Sequence, residues 1–123
     1  MTDRPTVDRV EERLTRALGA WAAASVLAGA ALYPRSRGFG RQTAMWGAVD
    51  GVIATVGRRR RGRVSPERLR RVLLVNAGLD VGYLAAGGWL VRDGRWRDDG
   101  VAVLVQGGFL LALDGLAARA LRA

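Results

Sequence analysis

The chain has no cysteine, no histidine and no lysine among its 123 residues. Without cysteine there is no disulfide, thiol nucleophile or thiolate metal site, and without histidine the usual zinc sites and imidazole haem ligation are excluded. The commonest general base at neutral pH is missing as well. The chain is therefore expected not to be an enzyme, with no catalytic residue, no cofactor and no metal site. Metal-assisted carboxylate chemistry is the one enzymatic route these residues leave open. All 20 basic residues are arginine, in a chain rich in Ala, Gly, Val and Leu. That usage fits a GC-rich genome and points to a bacterium.

Charge is missing from long stretches. Residues 17–33 carry none, 42–57 carry only Asp50, 72–91 carry only Asp80, and 100–118 carry only Asp114. The formal net charge of +9 would suit a nucleic-acid partner, but the arginines sit between and outside the apolar runs. Flanking arginine is what anchors the loops of a membrane protein, so no nucleic-acid partner is expected. A soluble four-helix bundle would need a broad polar face on every helix, and 72–91 offers only Asn76, Asp80 and Tyr83. Fourteen of the 17 glycines also fall within 17–33, 39–57, 72–91 and 100–118, where small residues let membrane helices approach closely.

The expected architecture is all-α: an integral membrane four-helix bundle with spans at about 17–33, 39–57, 72–91 and 100–118. Residues 17–121 form one transmembrane domain, with an arginine-rich loop at 58–71 and a lead-in at 1–16. The lead-in reads as amphipathic, with Val7, Val10 and Leu14 on one face, either lying on the membrane or extending into solvent. The second span is the weakest, because a central Asp costs about 2.5–3.5 kcal/mol on insertion scales. Fourteen arginines lie in the N-terminal segment, the 58–71 loop and the C-terminal tail, against six in the two other loops. Positive residues stay inside, so both termini are expected in the cytoplasm of a multi-pass bacterial inner-membrane protein. The acidic residues Asp8, Glu11 and Glu12 argue against a cleaved signal. Ser65–Pro66–Glu67 predicts that the third helix starts near Pro66, before the bilayer. Trp89 and Trp96 suit an interfacial belt.

QTAMWGAVDG at 42–51 returns loosely as QGGFLLALDG at 106–115, and VLAGAAL at 26–32 matches LAAGGWL at 84–90 in part. A two-helix hairpin used twice with the same topology is the implied plan. Counting about 1.5 Å per residue from the arginine boundaries puts Asp50, Asp80, Asp114, Asn76 and Ser25 in one layer, roughly 7–13 Å deep. Gln42 and Gln106 fall in the outer half, and Trp46 lies one turn from Gln42 and Asp50. On the third helix Asn76, Asp80 and Tyr83 share a face. Gly78 and Gly82 form another, a small-residue packing surface like that of Gly47 and Gly51 on the second.

No arginine lies deep in a span. The carboxylates must then be protonated, share protons, bind a cation, or be paired by Arg58, Arg71 and Arg119 reaching back as structural glue. The candidate ion, proton or ligand site is Asp50, Asp80, Asp114, Asn76, Tyr83, Gln42, Gln106, Ser25 and Trp46.

DGLAAR at 114–119 is a fragment of the CDP-alcohol phosphotransferase signature, but that pattern needs an Asp where this chain has Leu111. WGAVDG (46–51), NAGLDVGYLAAG (76–87) and QGGFLLALDG (106–115) together resemble a family of small four-span bacterial membrane proteins of unknown function. The resemblance runs from about residue 17 onward and implies the architecture without an activity. The expected function is a small channel or a proton- or cation-coupled transporter of a small solute. The alternative is a membrane interaction module whose polar residues are interhelical hydrogen bonds. The expected partners are the bilayer, anionic lipid head groups at the arginine-rich loop, a small ion or solute, and a second copy of the chain through its glycine faces.

Overall fold

In the computed structural model, which describes residues 4–60 and 62–121, four helices follow one another and no strand occurs among those residues. They are α1 (Arg4–Leu32), α2 (Arg37–Arg59), α3 (Pro66–Asp93) and α4 (Arg97–Ala120). Local chemistry sets the ends. Ser36 caps α2 by accepting the Phe39 N–H, and Ser65 caps α3 by accepting the Arg68 N–H at 3.2 Å, with Pro66 in the first turn. Gly94 closes α3 in a left-handed conformation at φ 81°, which glycine takes without strain.

The helices pair as two hairpins, α1 with α2 and α3 with α4, joined mainly by α2 packing on α4. Each hairpin is drawn tight by facing glycines near its turn. A Cβ on Gly29 would lie 2.7 Å from the Gly40 carbonyl oxygen, and a Cβ on Gly40 the same distance from that of Gly29. Gly87 and Gly100 repeat the contact in the second hairpin, at 3.1 Å and 2.7 Å. Gly47 also packs closely, its missing Cβ 2.8 Å from that of Ser25, whereas Gly51 has only ordinary contact with Ala22. Gly78 and Gly82 pack against nothing within this chain: a Cβ at either position meets nothing within 4 Å. They lie on the face of α3 turned away from its own bundle.

The two ends are tied differently. At the turn end, Arg41 pairs with Asp99 at 3.2 Å and Ser36 donates to Asp98 at 2.8 Å, linking one hairpin to the other. At the end bearing the termini, α1 runs without a break through the expected lead-in. Val7 and Val10 are buried there with Leu73, Ala117, Ala118 and Leu121, so this face is used inside the bundle. Arg4 donates to Asp8, Glu11 and the Val64 carbonyl, and Glu11 accepts the Gly62 N–H, which pins the α2–α3 loop to α1.

Polarity is inverted relative to a water-soluble bundle. Asp50 has no exposed surface, while Leu27 is 72% exposed and Val52, Ile53, Val75, Leu79 and Leu116 are all exposed. Three helices, α1, α3 and α4, are long and apolar enough to cross a membrane.

Candidate functional site

A cavity of about 270 Å³ lies in the bundle, with walls from all four helices. Asp50 enters it from α2, Asp80 from α3 and Asp114 from α4. Each occupies an inward, buried position on its helix. The three carboxyls line one cavity, close enough for their charges to act on one another. Asn76 and Tyr83 line the same cavity from α3, and Trp46 does so from α2. The Trp46 and Tyr83 rings meet edge-on, with centroids 5.0 Å apart.

The carboxylates have almost no polar company. Neither oxygen of Asp50 has a hydrogen-bond partner, and Oδ2 of Asp80 has none. Among the described residues, the ion pairs involve Arg4, Arg16 and Arg41, all away from the cavity. Arg58, Arg71 and Arg119 do not reach back to the three aspartates. A buried carboxylate without donor or counter-charge costs several kcal/mol. Such a group needs a proton, a bound cation or access to water. No group of three or more acidic side chains among the described residues is arranged to hold a metal ion.

The remaining candidate residues separate from this cluster. Gln106, buried on α4, accepts from Trp21 Nε1 at 2.8 Å and donates to Ser25 Oγ at 3.1 Å. Phe109 stacks on Trp21, with centroids 4.0 Å apart and planes 6° from parallel. This closed polar clip joins α1 to α4. It takes Ser25 out of the carboxylate layer, to the level of Gln106, about two turns of α4 away from Asp114. Gln42 is half-buried and lines neither the cavity nor the clip. The cavity walls also include Leu14 of α1, read from the sequence only as part of the lead-in's apolar face, and Leu18, which sequence reasoning did not single out. Their only signal is that they continue the apolar face begun by Val7 and Val10.

A second depression, of about 390 Å³, lies at the turn end among Arg37, Arg41, Arg95, Arg97, Asp98 and Asp99. Its carboxylates are already engaged by Arg41 and Ser36, and its arginines are exposed. Its chemistry is that of a solvated charged surface.

The model of a family of unknown function, DUF6992, matches residues 17–115. That stretch covers most of both hairpins and every residue of the carboxylate cavity except Leu14. No curated protein matches the chain, and no solved structure matches it.

Proposed function

We propose that this chain, which belongs to the DUF6992 family, is a four-span membrane protein that conducts or exchanges a proton or a small cationic solute through its carboxylate cavity. In this reading α2 inserts with its neighbours, its Asp50 sheltered by α4. Both termini and the arginine-rich loop face the cytoplasm of a bacterium, where the arginines meet anionic head groups. The two hairpins descend from one repeated unit and run in the same direction.

The single observation that carries the reading is Asp50. It is wholly buried, both its oxygens lack a hydrogen-bond partner, and it lines a cavity shared with Asp80 and Asp114. A residue kept for interhelical bonding would have found a donor, as Gln106 has with Trp21 and Ser25. A carboxylate that is costly to bury and makes no bond is explained by a mobile partner.

The interaction-module alternative is favoured by a different observation, the unoccupied Gly78/Gly82 face of α3, which suits a second copy of the chain. The two readings are compatible, and only the first assigns work to the aspartates. Asp80→Asn in proteoliposomes separates them. The expected result is loss of most proton or cation flux, at least tenfold, with the thermal unfolding midpoint close to that of the parent. Unchanged flux with a lowered midpoint would instead make Asp80 a structural residue.

A further inference from the structure

We infer that the cavity takes an amphiphilic organic monocation, a protonated or quaternary amine carrying an apolar body, in preference to an inorganic ion. This rests on the carboxylate site proposed above and names its ligand class. A dehydrated divalent cation held by protein alone asks for several oxygens around it, and no three acidic side chains among the described residues are grouped to hold one. An ammonium asks for less: one or two carboxylates and an aromatic face. Asp50 and Asp80 supply the charge from buried positions with unbonded oxygens, and the Trp46–Tyr83 pair supplies the rings.

The walls select for the apolar body. Apart from its polar groups and the Trp46 and Tyr83 rings the cavity is lined by aliphatic side chains, and its volume of about 270 Å³ is close to that of small-molecule pockets, roughly 300 Å³ and upward. Its rim explains the route. Val49 and Ile53 of α2 and Val72 and Leu79 of α3 line the cavity and are also exposed on the flank of the bundle. The equivalent seam between α1 and α4 is closed by Trp21, Phe109, Gln106 and Ser25. In a bilayer the open seam faces acyl chains. A hydrated ion would not enter there, whereas an amine dissolved in the membrane would pass laterally, with its charge drawn to the aspartates.

The test is equilibrium dialysis of radiolabelled benzyltrimethylammonium against the full chain in lipid nanodiscs. Its competitors are manganese(II) and the uncharged isostere neopentylbenzene. Saturable binding is expected, weakened at least tenfold by Asp50→Asn or Asp80→Asn and at least threefold by Trp46→Leu. Neither competitor should displace the ammonium at equal concentration. Displacement by manganese(II) or by neopentylbenzene, or binding indifferent to all three substitutions, overturns the inference. The competition needs only the parent chain, so it decides the matter even where an aspartate variant does not fold. Absence of saturable binding alongside an Asp80-dependent proton flux removes the ligand class and keeps the site; absence of both removes the site as well.

Discussion

Two buried polar residues show how differently this chain treats its polar groups. Gln106 gives and receives one hydrogen bond each, to Ser25 and from Trp21, and is sealed by the Phe109 ring. Asp50 makes none. Interhelical hydrogen bonds within membranes contribute about 0.6 to 2 kcal/mol, so Gln106→Ala is expected to lower stability by about 1 kcal/mol while leaving flux intact. Unfolding in mixed micelles, followed by tryptophan fluorescence, measures the first and proteoliposome flux the second. At this scale the sequence was most readable where the physics is harshest. A carboxylate inside an apolar run has to turn inward, which is why Asp50, Asp80 and Asp114 could be grouped with Asn76, Tyr83 and Trp46. Ser25 and Gln106 carry no charge and impose no such demand. Counting residues from the arginines put Ser25 level with Asp80, but α1 extends well below that boundary and meets α4 a full layer higher.

At the scale of helices, glycine decides which surfaces close and which stay open. Gly29 and Gly40 bring α1 and α2 into backbone contact, and an added Cβ at Gly29 would lie 2.5 Å from the Ala44 nitrogen. Gly29→Val therefore forces the first hairpin apart and is expected to cost at least 2–3 kcal/mol, the scale of overpacking a tight contact. Gly82→Leu adds its side chain in open space. It is expected to leave the monomer's unfolding midpoint unchanged and to abolish the proposed homodimer, which crosslinking in membranes would report. Undiminished crosslinking would move the dimer contact to another face. Helix identity was legible from hydropathy and from the Ser65–Pro66 start. The closest glycine contacts were not, because a spacing pattern such as Gly78–Gly82 states only that a smooth surface exists. Whether anything lies against it depends on which way the helix is rotated, and the inward aspartate of α3 rotates this surface outward. The amphipathic stretch before residue 17 posed a similar ambiguity. Its apolar face fits a membrane surface as well as a bundle, and Leu73, Ala117 and Leu121 were needed to complete the packing seen at Val7 and Val10.

The molecule as a whole hides carboxylates and displays aliphatic side chains. In water that distribution would leave a large apolar surface exposed. In a bilayer the same surface is solvated, and the interior becomes the only place for charge. The account stands on those interior carboxylates being a working site that exchanges positive charge. Infrared difference spectroscopy of the reconstituted chain tests this most directly, by recording the carboxyl bands before and after a proton or benzyltrimethylammonium is added. The account predicts a carboxyl signal that responds to the addition and disappears in both Asp50→Asn and Asp80→Asn. Bands that stay unchanged on addition, or a response that survives both substitutions, would contradict it.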